Sequence, residues 1–370
     1  MLWEKAGWVL FMFAVSRLLI VALTLYSRQI VHRGPYVVVS TQEEHGGTLL
    51  DILTQWDGNW YRLIAQHGYA PPMPPVAAAF FPLYPLAVRA VNFVVRDLQV
   101  ASVLVSNGCL LLAGLLLIAL LRLDYEELVC RRAITFLMFN PVSFFLSAAY
   151  TESMFLLLSV GALLAVRRAR WFAGGFCGAL LTATRPPGLL IAAPLLAEHL
   201  IQWREQRAGL RRILQPRLLW LGLVPVGLAL YLFYCYTARG DWLAPIHAQE
   251  VWKKTLTWPW QSFLWPQHFS PAHVPLYQAI VAAAIGLTVA GFFLRIRASY
   301  LVYAVVTILF YLAWGTLDAL PRFLSVVFPI YLALALISTR WGWMYEPLLA
   351  FSIGLLAYCT VLFANAYQMT

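Results

Sequence analysis

Long apolar runs alternate with short polar stretches along nearly the whole chain. Such runs are typical of helices that cross a bilayer, which takes about 20 mostly apolar residues. The pattern predicts an all-α polytopic membrane protein with about 11 transmembrane segments. These predicted segments are residues 7–26, 100–122, 133–148, 152–167, 171–184, 187–201, 217–238, 275–294, 299–316, 322–338 and 344–363.

The first apolar run, residues 7–26, contains a single charge, Arg17. It has no small-residue cleavage site before Ser27 and Arg28. We therefore interpret it as a retained membrane anchor and not as a secretory signal peptide.

A long connection, residues 28–99, follows this run. Hydrophobic residues recur at helical spacing after Asp51, which predicts an amphipathic helix in the membrane interface, ended by the prolines of residues 71–75. The apolar residues 79–97 either span the membrane or lie along it. Spanning would place the arginines at 131–132 and 167–170 outside, against the positive-inside rule, so we expect an interfacial or re-entrant helix.

The composition agrees with a membrane chain. Hydrophobic residues make up 62% and charged residues 11%, with a mean hydropathy of +0.73, whereas about a quarter of a soluble domain is charged. The net charge of +10 comes from basic clusters between apolar runs, which indicates orientation signals and not a nucleic-acid-binding surface. The five cysteines form no CxxC pair, so neither a zinc site nor a disulfide framework is predicted.

If the amino terminus lies inside, all the polar groups that are not explained as orientation signals emerge on the outer side. They lie in residues 28–99, 150–153, 185–188, 239–274 and 318–322. Polar groups are costly in a membrane and usually functional, so we expect an extracytoplasmic site on a single membrane-embedded domain, residues 1–370. The Trp-rich loop, residues 239–274, is either an aromatic belt at the interface or a cover over this site.

Several blocks of the sequence resemble the PIG-V (GPI mannosyltransferase 2) family of GT-C glycosyltransferases. The blocks are WDGNWY at 56–61 with the residues up to 69, FFPLYPL at 80–86, NP at 140–141, YTES at 150–153 and TRPPG at 184–188. The resemblance covers most of the chain in the right order, and the WDGxWY block is specific.

The resemblance implies a GT-C fold and transfer of mannose from a polyprenyl-phosphate or dolichyl-phosphate carrier. It also implies catalysis by an aspartate of the first outer loop and a reaction without metal. Eukaryotic members are longer, so we expect a prokaryotic relative in the cell membrane, with the endoplasmic reticulum as the alternative. The expected partners are membrane lipids, polyprenyl-phosphate mannose and a glycolipid or glycan acceptor. No nucleic-acid partner is expected, and the sequence does not identify protein partners.

Asp57 is the predicted catalytic residue. Glycosyl transfer from a lipid phosphate needs a base that takes a proton from the acceptor hydroxyl. Gly58 leaves room for substrate beside Asp57, and Trp56 and Trp60 can line a sugar site. The alternative is that Asp57 only caps an interfacial helix or pairs with Arg62.

Arg322 and Arg185 are predicted to bind the donor phosphate. A guanidinium group is planar and permanently charged, and both arginines lie at outer helix ends beside proline. The alternative is that they only snorkel to the interface. Lys253 and His273 of the Trp-rich loop are further phosphate-binding candidates.

The remaining candidates are predicted to bind the sugar or the acceptor. They are Trp56, Trp60, Tyr61, Glu152 and His67. Glu152 lies between two apolar runs, where an acid is a functional candidate, although it can also orient an arginine or simply begin a helix. His67 has a structural alternative, as a lone histidine in an aromatic loop.

No metal or other cofactor is predicted, because the chain contains no DxD pair, although Asp57 and Glu152 can in principle share a divalent ion. A GxxxxGK[ST] nucleotide loop is also missing from the sequence. Two other functions remain open: a transporter or flippase for a lipid-linked sugar, and a GT-C transferase for another sugar such as arabinose or glucose. We find no internal sequence repeat of the transporter kind.

Overall fold

The computed structural model of the protein describes residues 2–32, 34, 47–70, 73–206, 215–252, 256–265, 273–314 and 316–367. The first eight helices are α1 (Leu2–Ile30), α2 (Leu49–Leu53), α3 (Asp57–His67), α4 (Leu83–Val95), α5 (Leu98–Leu121), α6 (Glu127–Met138), α7 (Glu152–Arg167) and α8 (Trp171–Thr182). The others are α9 (Ala192–Glu205), α10 (Val226–Arg239), α11 (Ala244–His247), α12 (Pro259–Leu264), α13 (Val274–Phe293), α14 (Ala298–Leu312), α15 (Leu320–Leu324), α16 (Pro329–Arg340) and α17 (Tyr345–Ala364). Short 3-10 helices cover Pro75–Ala79, Ser143–Leu146, Pro186–Ile191, Pro216–Leu223, Ala248–Trp252 and Gly342–Met344.

Several of these helices are suited to a membrane. Within the described residues, five stretches are long and apolar enough to cross one: Ala6–Ile30, Leu98–Leu121, Pro216–Arg239, Val274–Phe293 and Gly342–Ala364. Shorter apolar helices such as α8, α14 and α16 lie between them. The protein is therefore an all-α integral membrane protein, as predicted, while the predicted number of segments stays a prediction.

Helix α4 lies in the stretch whose position was left open. It has 13 residues, which is about 20 Å at the rise of an α-helix and short of the roughly 30 Å bilayer core. Arg96 has a left-handed backbone, and the Asp97 carboxylate caps the start of α5. Helices α8 and α16 are as short, with 12 residues each, so the interfacial or re-entrant position expected for residues 79–97 stays a prediction.

The structure differs from the predicted continuous segment 133–148. Helix α6 begins earlier, at Glu127, and ends at Met138. The chain then runs through residues 139–151, which we call the 139–151 segment and which contains only a short 3-10 turn. Pro141 cannot continue the hydrogen-bonding pattern of a helix, and the Asn140 side chain bonds the backbone on both sides of the break.

Helix α7 crosses the protein between two groups of charged side chains. Glu152 is its first residue and Arg167 its last, about 22 Å apart along a helix of 16 residues. At the Arg167 end, the buried Glu198 carboxylate accepts hydrogen bonds from Arg297 at 2.7 and 2.8 Å and from Ser299 at 2.8 Å. These contacts join α9 to α14, while the Glu152 end carries the site described next.

Candidate active site

Four charged side chains from distant parts of the chain form one charge cluster: Asp57, Glu152, Arg185 and Arg322. The Nη1 group of Arg322 donates to Asp57 Oδ2 at 2.7 Å. Its Nε atom lies 3.1 Å from Glu152 Oε1, which is an ion-pair distance. The Nε–H group is not aligned for a hydrogen bond to this oxygen. The same Glu152 oxygen accepts a hydrogen bond from Arg185 Nη2. The cluster thus contains two carboxylates and two guanidinium groups.

Burial increases inward through this cluster. The Asp57 side chain is 23% exposed and that of Arg322 is 5% exposed, whereas Glu152 is completely buried. A low-dielectric environment strengthens the attraction between such charges. The cluster therefore has a wetter end at Asp57 and a dry end at Glu152.

Asp57 is the first residue of α3. Trp56 before it adopts a positive φ of 53°, which is uncommon for a residue with a side chain. The Gln55 side chain donates to the Phe363 carbonyl at 2.9 Å and so ties this turn to α17. A carboxylate at a helix start is favoured by the free N–H groups there.

Glu152 likewise begins a helix, α7, and follows the 139–151 segment. Arg185 lies between α8 and the 3-10 helix Pro186–Ile191. This turn requires glycine at position 188, because a Cβ there would lie 2.5 Å from the Leu181 carbonyl oxygen. The close approach fixes the backbone next to Arg185.

Aromatic rings surround the two arginines. The Arg322 guanidinium carbon lies 5.5 Å from the ring centre of Phe145, 5.0 Å from that of Tyr150 and 4.8 Å from that of Phe323. Arg185 lies 4.9 Å from the Phe323 ring centre. These are cation–π distances, and the rings keep water away from the cations.

Besides Arg322 Nε, two polar atoms of the cluster have no hydrogen-bond partner within the described part of the chain. They are Oε2 of Glu152 and Nη1 of Arg185, both buried. Buried polar atoms are nearly always hydrogen-bonded in folded proteins. These atoms therefore favour a polar ligand at the dry end of the cluster.

The predicted sugar-lining rings are largely core residues. Trp60 stacks on Phe80 at 5.7 Å, and Tyr61 contacts Phe80 and Tyr84 edge-on at 5.2 and 5.1 Å. Trp56, which is half-buried, contacts Phe363 edge-on. The WDGNWY and FFPLYPL blocks thus pack against each other, and a role of these rings in sugar binding stays a prediction.

Tyr61 also lies near the charge cluster. Burial raises the pKa of its hydroxyl to about 12, with smaller effects from Arg185, which lowers it, and from Asp57, which raises it. The Tyr61 phenol is therefore protonated near neutral pH and is not a general base.

The structure places the three other predicted residues differently, with His67 away from the cluster, His273 beside Tyr277 and Lys253 outside the described residues. His67 is exposed at the last residue of α3, about 15 Å from Asp57 along the helix. His273 immediately precedes α13, and its ring lies 6.1 Å from that of Tyr277. Lys253 lies outside the described residues.

The described part of the Trp-rich loop contacts the outer connection, residues 28–99. The Trp252 ring meets Phe80 edge-on at 6.0 Å, and Arg239 donates to the carbonyls of Tyr69 and Met73. Trp258 and Trp260 instead stack on each other and are exposed. One part of the loop therefore packs on residues 69–80, which follow α3, and another part has the exposure expected of an aromatic belt.

Three members of the site were not predicted from the sequence: Phe145, Tyr150 and Phe323. Two of them were close to predicted residues, since Phe323 follows Arg322 and Tyr150 precedes Glu152 by two positions. The alternative partner predicted for Asp57 was Arg62, but Asp57 pairs with Arg322 and Arg62 donates to Asn59.

Metal ligands do not gather at this site. Among the described residues, no three His, Cys, Asp or Glu side chains come together as a metal site would need. The Arg322 guanidinium bridges the two carboxylates of the cluster.

The fold is similar to solved membrane glycosyltransferases of the GT-C class. ArnT from Cupriavidus metallidurans, bound to undecaprenyl phosphate, superposes with a TM-score of 0.56 at 13% identity, over 98% of this chain and 77% of ArnT. An Archaeoglobus fulgidus oligosaccharyltransferase superposes with a TM-score of 0.51 at 15% identity, over 100% of this chain and 56% of the other. At these identities the likeness concerns the fold.

Sequence relatives indicate the family. GPI alpha-1,6-mannosyltransferase 2 of Rattus norvegicus is 30% identical over 208 residues, which are 51% of this chain and 41% of the relative. The Homo sapiens protein of the same name is 28% identical over 209 residues, which are again 51% of this chain and 41% of the relative. This chain therefore spans less than half the length of these relatives. A sequence profile described as Mannosyltransferase (PIG-V) matches residues 13–242, more than half of the chain, and the protein belongs to this family.

Proposed function

We propose that the protein transfers mannose from a polyprenyl-phosphate carrier to a hydroxyl group of a glycolipid or glycan. The observation that carries this proposal is the position of Arg322, between a partly exposed carboxylate and a buried, incompletely bonded ion pair. Family membership supports mannose. The lipid phosphates bound by fold neighbours, undecaprenyl phosphate in ArnT and a dolichol-phosphate in an archaeal oligosaccharyltransferase, support the carrier.

In this proposal Asp57 acts as the base. The acceptor hydroxyl attacks the anomeric carbon of the mannose, and its proton passes to the Asp57 carboxylate. The bond between that carbon and the phosphate oxygen breaks, and the carrier leaves as a lipid phosphate. Attack from the side opposite the phosphate inverts the anomeric carbon, so a β-linked donor gives an α-linked product.

Arg322 and Arg185 hold the donor phosphate. Arginine suits phosphate because its N–H groups match two oxygens at once, and the free Nη1 of Arg185 supplies one such donor. In the state described, Arg322 Nη1 bonds Asp57. The arriving phosphate competes for this group and frees the Asp57 carboxylate to accept a proton.

The two substrates approach from different sides. Asp57 is the most exposed member of the cluster, so the acceptor reaches it from water, while the lipid-linked donor arrives from the bilayer. Because the positive-inside rule favours this orientation, we propose that Asp57 lies on the extracytoplasmic side of a prokaryotic cell membrane, with the endoplasmic reticulum membrane as the alternative. We propose that no metal takes part, since the Arg322 guanidinium already lies between the carboxylates.

The test uses purified protein in lipid nanodiscs with polyprenyl-phosphate [³H]mannose and a glycolipid extract. We expect the label to leave the carrier and appear in a new, acid-stable product. Carriers with arabinose or glucose test the sugar. If the same protein in sealed vesicles moves the intact carrier across the membrane without cleaving it, the transferase proposal is wrong and the transporter is favoured.

A further inference from the structure

Arg17 is a cation near the middle of α1 with an unusual set of partners. Its guanidinium donates to the Ser143 carbonyl at 2.9 Å, to Ser147 Oγ at 2.8 Å and to the Met138 carbonyl at 3.0 Å. It also donates to Ser143 Oγ and to Ser16 Oγ. All these partners, which belong to the described residues, are neutral oxygens. A cation in a membrane helix is costly and is usually functional.

The partners show what Arg17 stabilises. Met138 is the last residue of α6, where the carbonyl groups lack helical partners and carry partial negative charge. Ser143 and Ser147 belong to the irregular 139–151 segment. Within a membrane, irregular backbone persists only where its polar groups find partners inside the protein. Arg17 supplies such donors at the end of α6 and along this segment.

The same segment reaches both acidic residues of the charge cluster. Its Phe145 and Tyr150 rings lie against Arg322, and Glu152 begins α7 directly after it. On the other side, the Ala149 N–H donates to the Leu53 carbonyl at 2.7 Å.

The contact with the Asp57 turn is equally close. The Tyr150 hydroxyl donates to the Gln55 carbonyl at 3.1 Å, two residues before Asp57. A displacement of the 139–151 segment would therefore move both carboxylates relative to Arg322.

We propose that Arg17 is a positioning residue for the transfer reaction, acting through the 139–151 segment on Arg322, Glu152 and Asp57. The proposal rests on the proposed function. Arginine is needed because its planar fork of five N–H groups reaches several acceptors at once, whereas lysine offers three donors from one point. Arg17 itself contacts none of the four cluster residues among its described hydrogen bonds.

The test compares Arg17→Lys with the matched control Arg132→Lys. Arg132 also donates to a backbone carbonyl, that of Ser338, and its guanidinium lies 4.2 Å from the Tyr345 ring centre. For Arg17→Lys we expect kcat to fall about 10- to 100-fold, since small displacements of reacting groups cost that much, with little change in the KM of the donor. Arg132→Lys should stay within about twofold of wild type. Active protein is counted by the stoichiometry of labelled carrier phosphate bound, so that misfolded protein does not lower kcat.

A second measurement does not depend on turnover. Hydrogen exchange of the amides of residues 139–151 should be faster in Arg17→Lys than in wild type and unchanged in Arg132→Lys. If wild-type protein transfers no mannose, the proposed function fails, yet this exchange result still decides whether Arg17 orders the segment.

If Arg17→Lys does not fold, Ser147→Ala, which removes one acceptor, should give a smaller effect of the same kind. A wild-type kcat together with unchanged hydrogen exchange in Arg17→Lys would overturn the proposal. An equal loss of kcat in Arg17→Lys and Arg132→Lys would also overturn it.

Discussion

Arg322 and Asp57 lie 265 positions apart in the chain, and a 2.7 Å hydrogen bond between Nη1 and Oδ2 joins them. The proposed phosphate-binding cation and the proposed base therefore form one unit in the state described. Neither group can change its charge or position without affecting the other.

Arg322→Gln should impair both stability and activity. The change leaves Asp57 without its cation and leaves Glu152 with Arg185 alone, and breaking a buried ion pair typically costs about 3–5 kcal/mol. We expect a lower Tm in a thermal shift measurement and a fall in kcat/KM of at least about 10²-fold, as for the loss of a group that stabilises transition-state charge. Arg340→Gln, at an exposed position, is the control. Equal effects of the two changes would contradict the account.

Glu152→Gln should separate donor binding from turnover. The cluster is neutral overall with two carboxylates and two guanidinium groups, so removing one negative charge favours an anionic phosphate. We expect labelled carrier phosphate to bind several-fold more tightly and kcat to fall. Arg185→Gln should have the opposite effect on binding. The charge argument fails if Glu152→Gln weakens binding as much as Arg185→Gln does.

Gly188→Ala should displace the turn that carries Arg185. An added Cβ would lie 2.5 Å from the Leu181 carbonyl oxygen and 2.7 Å from the Thr182 nitrogen. Both are backbone atoms, which cannot move away without displacing the chain. We expect a stability loss of about 1–3 kcal/mol, typical of overpacking, together with weaker carrier binding. Gly222→Ala is the control, since a Cβ there meets nothing within 4 Å. Normal Tm and binding in Gly188→Ala would show that the turn adapts.

Tyr61→Phe should leave the pH profile of kcat unchanged. Burial raises the pKa of the Tyr61 hydroxyl to about 12, above its ordinary value. The group is therefore protonated below that pH and its charge is constant over the usual assay range of about pH 6 to 9. A profile of kcat against pH for both proteins tests this. Loss of an ionisation step in the variant would assign Tyr61 a proton-transfer role that its burial opposes.

The sequence predicted individual elements better than their associations. Residues 152–167 were predicted as one segment, and α7 has those bounds, because the polar residues at both ends mark them. Asp57, Glu152, Arg185 and Arg322 were each selected as polar groups on one side of the membrane. Their pairing depends on tertiary packing over long separations, and no spacing along the chain indicates it.

The break after Met138 shows a second limit. An apolar run continues through residues 133–148, so hydropathy alone predicts one helix. Asn140 and Pro141 were the available signal, since proline interrupts a helix. The donors that make the break tolerable come from Arg17 on another helix, and the sequence pattern does not reveal that contact.

The central claim is that Asp57 takes the proton of the acceptor. The most direct measurement is single-turnover transfer from labelled polyprenyl-phosphate mannose by wild type and Asp57→Asn, with carrier binding measured on the same samples. The account predicts that Asp57→Asn transfers about 10²- to 10⁴-fold more slowly, the usual contribution of a general base, while it still binds the carrier. Transfer at the wild-type rate by Asp57→Asn would contradict it.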